Sequence, residues 1–159
     1  MRISAKVDYA VRAAIELAAA GEGQLTKADA IAREQEIPPK FLENILGDLR
    51  QGGLVRSQRG AEGGYRLAVP AEEISLAEVI RIVDGPIAAV AGVRPDEVTY
   101  PPGAEALPGV WLEARGMLRS VLETITFAQL LERSRVIASQ GERRARRAPA
   151  PRNAAQVEG

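Results

Sequence analysis

Neither cysteine nor histidine occurs in the 159 residues, which removes thiolate and imidazole from every mechanism the chain can carry. Disulfides, thiolate metal sites and nucleophile–imidazole pairs are excluded together. Uninterrupted apolar runs long enough to span a bilayer are also missing, and the first residues lack the layout of a signal peptide. The chain is therefore expected to be cytoplasmic, with no membrane contact. No phosphate-cradling loop stands out, because G-A-E-G-G at 60–64 lies in a hairpin pattern rather than between a strand and a helix. No enzyme activity is expected. Net charge is lacking too, with 21 basic against 21 acidic residues, which argues against indiscriminate nucleic-acid binding. Its distribution is uneven. Residues 1–69 carry ten Lys or Arg against nine Asp or Glu, residues 70–139 six against ten, and residues 140–159 five against two. If the first part meets DNA, local placement of Arg2, Lys6, Lys40, Arg50, Arg56 and Arg59 has to supply the phosphate contacts.

What is present centres on Thr26 to Leu67. Ala28, Ile31 and Ala32 recur at helical spacing, Ile37, Pro38 and Pro39 interrupt, and Phe41, Leu42, Ile45, Leu46 and Leu49 resume the period. Thr26 with Asp29 three residues on reads as the N-cap pair of the first helix. The prolines suit the start of the second, where a missing amide costs nothing, and Gly52 and Gly53 stop it. Phe41, Leu42, Ile45 and Leu49 are assigned to the core. Lys40, Glu43, Asn44 and Arg50 then form a protruding polar face of the kind a major groove admits. Residues 54–58 and 65–69 read as strands around R-G-A-E-G-G, where three glycines in six residues permit close backbone approach. Helix, break, helix and hairpin in that order describe a winged helix-turn-helix, with the second helix as candidate recognition helix. Arg59 ends the first strand, where a guanidinium enters a minor groove in one reading and stays solvated on an ordinary hairpin in the other.

On either side of this stretch the chain is simpler. A helix is expected from about Ser4 to Ala20, with Val7, Val11, Ala14 and Ala18 on one face and Asp8, Arg12 and Glu16 on the other. Its N-terminus, flanked by Arg2 and Lys6, holds a DNA phosphate or is merely solvated. Ser75 and Glu78 form a capping box before a helix that closes at Asp84-Gly85-Pro86. Residues 86–108 lose helical period and read as a long loop, whose scattered Asp96, Glu97 and Glu105 suit solubility better than metal ligation. From Gly109 to Thr124 the period returns, with Trp111, Ala114, Leu118, Val121 and Ile125 spaced 3, 4, 3 and 4 apart, widened by Leu122. So broad an apolar face needs a partner, either the chain's own domain or a second copy. Thr126 and Gln129 start a last helix, to about residue 138. Residues 139–159, rich in arginine and poor in large apolar side chains, are expected to be disordered.

These residues carry a resemblance. M-R-I-S-A-K, Y-A-V-R-A, I-P-P-K-F-L-E-N-I-L-G-D-L, G-L-V-R-S-Q-R-G-A-E-G-G-Y-R-L and I-S-L-A-E-V-I-R-I-V-D-G-P resemble the Rrf-two family of bacterial transcription regulators, and so does V-W-L-E-A-R-G-M-L-R-S-V-L-E-T-I-T-F-A-Q-L-L. The arginine-glycine wing with its following tyrosine is the most specific element. The resemblance implies a mainly α fold with a small β-hairpin wing, that is, a winged helix-turn-helix domain at 1–85 plus a long dimerisation helix. Residues 86–108 would occupy the place of the family's cluster-binding loop, and 109–138 would hold the dimerisation helix and a short C-terminal helix. It further implies a dimeric, sequence-specific repressor on a palindromic operator in double-stranded DNA. Arg2, Lys6, Lys40, Phe41, Glu43, Asn44 and Arg50 would lie at or near the major groove and its phosphates, and Arg59 and Gly60 at the minor groove. Trp111, Ala114, Leu118, Val121, Leu122 and Ile125 would form the homodimer face. In the resembled family three cysteines in the loop hold an iron-sulfur cluster. With no cysteine here, no cofactor is expected, and the loop leaves a small-molecule effector, a protein effector or none equally open. The rival reading is a winged-helix protein-interaction module that has lost specific DNA binding, supported by the near-neutral head.

Overall fold

The computed structural model describes residues 3–90 and 92–147, the last seven as backbone only. Helix α1 (Ala5–Ala20) is followed by α2 (Ala28–Glu34) and α3 (Pro39–Gln51). Strands β1 (Val55–Gln58) and β2 (Gly64–Leu67) then form an antiparallel hairpin in which Val55 faces Leu67 and Gln58 faces Gly64. Helix α4 (Leu76–Asp84), a 3-10 turn at Pro95–Glu97, α5 (Leu107–Thr124) and α6 (Phe127–Arg147) complete the chain. None of the described helices is long and apolar enough to cross a membrane.

The local signals for helix starts hold in most places. Ser4 caps α1, its hydroxyl accepting the Val7 amide at 3.2 Å. Ser75 and Glu78 satisfy each other's backbone amides at 2.7 and 3.3 Å, a complete capping box. Thr126 and Gln129 do the same for α6 at 3.2 and 3.3 Å. These two capped starts lie against each other: the Leu76 amide donates to the Ile125 carbonyl at 2.9 Å and the Phe127 amide to the Ile74 carbonyl at 3.1 Å. Phe127 is thereby driven into the core of the head, fully buried beside Leu17, Ile31, Leu42, Ile45, Leu46, Leu49, Ile74 and Val79.

Four expectations change. Thr26 does not cap α2: Lys27 occupies the N-cap, and Thr26 instead exchanges backbone hydrogen bonds with Tyr65 at 2.8 and 2.9 Å, a tertiary bond that outcompetes the local one. Phe41 is not core. At 56% exposed it stands beside the stripe of Leu42, Ile45, Leu46 and Leu49, its ring meeting Tyr9 edge-on with centroids 6.2 Å apart. The 86–108 segment is anchored rather than loose, by buried Ile87 and Pro95, paired Val90 and Val93 and the 3-10 turn. Finally, α6 does not stop near residue 138 but continues to Arg147, because Ala, Gln, Glu and Arg are strong helix formers without any apolar face. Residues 148–159 of the expected disordered tail lie outside the described residues.

Candidate nucleic-acid interface

The candidate recognition helix, α3, is held by its apolar side. Leu42, Ile45, Leu46 and Leu49 are all buried, which orients the opposite side outward, and Lys40, Phe41, Glu43, Asn44 and Arg50 are exposed together along it. Pro38 at the N-cap and Pro39 at the first helical position start the helix where no amide is needed. At the far end Gly53, with φ +80, takes the left-handed conformation that releases the chain into β1.

The wing is fixed to the same unit from two directions. Thr26 pairs with Tyr65, and a Cβ added at Gly64 would lie 2.7 Å from the Thr26 carbonyl oxygen, so only glycine lets the hairpin approach the start of α2 this closely. Gly64→Ala should therefore cost about 1–3 kcal/mol in urea unfolding, since the clash is with backbone and cannot be relieved by a rotamer. An unchanged stability would mean that the hairpin shifts freely. Gly60, at φ +108, makes the turn that carries Arg59 out to solvent.

Between α3 and the wing runs a cleft of about 480 Å3 bordered by Lys27, Arg50, Ser57, Arg59 and Gly60. Arg50 reaches across it, Nη1 donating to Ser57 Oγ at 3.4 Å. A second hollow of about 540 Å3 lies on the other flank of α3 beside Lys6, Phe41, Glu43 and Asn44. The structure thus brings Lys40, Phe41, Glu43, Asn44, Arg50, Arg59 and Gly60 onto one surface formed by helix and wing. Lys6 is there too, but its Nζ lies 2.7 Å from Asp48 Oδ2, so it ties α1 to α3 as well as facing outward. Arg2 falls outside the described residues. Lys27 and Ser57 were not singled out by sequence. The only hint was a lysine one residue ahead of a helix, which is a weak signal.

Of the residues expected to form the dimer face, only Trp111 and Val121 are exposed, while Ala114, Leu118, Leu122 and Ile125 are half-buried. Leu118 and Leu122 pack against the core of their own chain. The outward apolar surface of α5 consists of Val110, Trp111, Leu112, Met117 and Val121 instead. The stripe of 3-and-4 spacing is therefore divided: Leu118 and Leu122 turn to the chain's own core, and Met117 and Val121 stay exposed.

A helix-turn-helix whose recognition helix and glycine-turned hairpin present one exposed surface defines a winged-helix DNA-binding protein. The sequence profile of the Rrf2 (Rrf-two) family, described as iron-dependent transcriptional regulator, matches residues 3–133. The chain belongs to this family and is a DNA-binding transcription regulator. It is 49% identical over 130 residues to Rv1287 of Mycobacterium tuberculosis H37Rv, assigned by name to the HTH-type transcriptional regulators, covering 82% of this chain and 81% of that protein. Identity to the HTH-type transcriptional regulator CymR of Bacillus subtilis is 35% over 131 residues, covering 82% of this chain and 89% of CymR. The solved structure of the B. subtilis protein, the global cysteine regulator of that organism, superposes with a TM-score of 0.71 over 83% of this chain and 97% of that one, at 31% identity. T. potens IscR gives 0.68 over 84% and 88%, at 28% identity.

The iron in the family description finds no matching donors here. Cysteine and histidine are absent from the whole chain. Among the described residues no three acidic groups gather as a metal site. The carboxylates of the 86–108 segment are engaged locally: Asp96 accepts from Arg94 at 2.9 and 3.1 Å, which holds its pKa below the usual carboxylate value, and Glu105 accepts the Gly103 amide at 2.9 Å. Hard oxygen donors of this kind do not suit sulfide-bridged iron.

Proposed function

We propose that the protein acts as a cytoplasmic homodimer that represses transcription by occupying a palindromic operator, without an iron-sulfur cluster and without catalytic activity. The observation that carries this reading is the single surface shared by α3 and the wing, with the outward apolar side of α5 left for a second copy. In a two-fold dimer each α3 enters one half-site of the major groove, and operator symmetry mirrors protein symmetry. Residues 1–85 do the reading, 109–138 the pairing, and 86–108 join the two.

Roles divide by chemistry. Asn44, exposed at mid-helix, has the donor–acceptor pair that reads an adenine edge, and Glu43 accepts from a cytosine amino group or discriminates against other bases. Lys40, Arg50 and Lys6, with Arg2 ahead of α1, contact phosphates, and Phe41 offers an apolar face to a thymine methyl. Arg59, lifted by Gly60, enters the minor groove, where narrow A·T tracts concentrate negative potential.

Competition binding on a set of base-substituted operators separates these roles. Asn44→Ala should cost about 1–3 kcal/mol on the preferred operator and less on its variants, flattening the preference. Arg50→Ala should weaken all sequences alike and reduce the salt dependence by about one unit. Arg59→Ala should lose affinity mainly on operators with A·T pairs flanking the half-sites. An Arg59→Ala protein with unchanged affinity and preference would remove the wing from the account.

A further inference from the structure

Where the end of α4 meets the middle of α5 an open cleft of about 540 Å3 is bordered by Arg81, Arg115, Arg119 and Glu123, with Pro86 and Ile87 beside them. Its charges do not balance. Three guanidinium groups meet one carboxylate, and that carboxylate is shared: Glu123 Oε1 accepts from Arg119 Nε at 3.0 Å and also from Arg81 Nη2. Both bonds hold the Glu123 carboxyl below its ordinary pKa, that of Arg119 more strongly. Arg115 is not among the donors to that carboxylate. Its Nε is the one buried side-chain polar atom among the described residues that lacks a hydrogen-bond partner. Asp96 feels its charge, but both Asp96 oxygens are already bonded to Arg94.

A buried donor without an acceptor is costly, and native proteins keep few of them. Arg115 and Arg119 are also one turn apart on the same helix, a like-charge pairing that opposes the fold unless something anionic lies between them. Arg81 approaches from a different element, so the three side chains form a clamp rather than a row. Planar guanidinium forks of this kind match oxyanions two bonds at a time.

We propose that this cleft is a binding site for a small doubly charged oxyanion, the chemistry common to phosphorylated and dicarboxylate metabolites. Arg115 supplies the buried Nε donor, and Arg119 and Arg81 close on the remaining oxygens, the anion taking over from Glu123. Helix α4 packs on α1 and α3 while α5 bears the outward apolar surface, so a ligand bridging α4 and α5 sets the angle between the DNA-reading head and that surface. Only this last consequence rests on the regulator reading. The site itself is tested without DNA.

Isothermal titration of the full chain with pyrophosphate and, separately, with malonate, both at constant ionic strength, gives the answer and distinguishes the two sources. At least one should bind saturably at one per chain. Arg115→Gln, which keeps length and helix propensity, should weaken it about tenfold or more, the loss expected for a charge-assisted hydrogen bond. Arg133→Gln, an exposed arginine on α6 away from the cleft, should bind as the unaltered protein does. Should Arg115→Gln fail to fold in a thermal melt, Arg119→Gln takes its place with the same expectation. Absence of saturable binding by both probes, or equal weakening by Arg133→Gln, would overturn the site.

Discussion

Met117→Glu combined with Val121→Glu should give a folded monomer in sedimentation velocity and reduce operator affinity by at least about 10³-fold, the usual distance between specific and non-specific binding. The two positions are one turn apart on α5 and are 67% and 55% exposed, so neither contributes to the core of its own chain. Buried in a two-fold contact, however, the pair would place four carboxylates near the axis without partners, and uncompensated buried charges are strongly destabilising. DNA affinity follows, because one head reaches only one half-site once the pairing is gone. Leu118→Glu would be a poor substitute for this test. Leu118 packs against the chain's own core, and a charge there unfolds the head whether or not the protein is a dimer. A folded dimer of the Met117 and Val121 double variant would show that the chain pairs through some other surface.

Phe127→Ala should lower the unfolding free energy by about 3–5 kcal/mol, the cost of truncating a buried aromatic. The reason lies in its position. Phe127 is the first residue of α6, yet its side chain is fully buried in the cluster built by α1, α3 and α4. The backbone bond from its amide to Ile74 and the bond from Leu76 to Ile125 close the same junction. Losing the ring opens the seam where the distal helices join the head, so the whole described fold, rather than α6 alone, should melt earlier. Equilibrium urea denaturation followed by far-UV circular dichroism measures it. A loss below about 1 kcal/mol would mean that the site collapses around the missing ring or that α6 is not held there.

The parts legible in the sequence were those decided by short-range chemistry. Two prolines at a helix start, glycines at the turn, and the pairs Ser75–Glu78 and Thr126–Gln129 each settle their local backbone within four residues, and the fold follows them. What was misread depends on contacts distant in sequence. Thr26 has every property of an N-cap, but Tyr65 nearly forty residues later offers its backbone a better bond. The ion pair of Lys6 with Asp48, which ties α1 to α3, was equally invisible in the sequence. Phe41 is apolar and in phase with a helix, so periodicity alone put it in the core, whereas the resemblance put it at the DNA. Its exposure and its contact with Tyr9 agree with the second.

The distal half shows the same division. Periodicity located α5 within two residues at its start but could not say which part of a broad apolar stripe faces inward, because Leu118 and Val121 are three apart and equally apolar. Arg115 carried no sequence signal at all. An arginine in a helix is ordinary, and only the burial of its Nε without a hydrogen-bond partner makes it unusual. Low-complexity composition misled in the opposite direction, since the residues after 138 form no apolar face yet still propagate α6 to Arg147.

The absence of thiolate and imidazole bears directly on regulation. A cluster-based switch is built mainly on cysteine thiolates, with histidine in some sites, and this chain contains neither residue. The arginine-lined cleft between α4 and α5 is where the proposed anionic ligand would enter.

Fluorescence anisotropy of the purified protein on a fragment from its own promoter, against an unrelated fragment of equal length and at fixed salt, tests the central claim most directly. Run in air and again under anaerobic reduction, it should give a preference of at least about 10³-fold for the promoter fragment, typical of specific recognition. The two titrations should coincide. Equal affinity for both fragments would contradict specific DNA recognition by α3 and the wing and favour a protein-interaction module. A preference that appears or vanishes with the redox state would contradict the absence of a redox-sensing group.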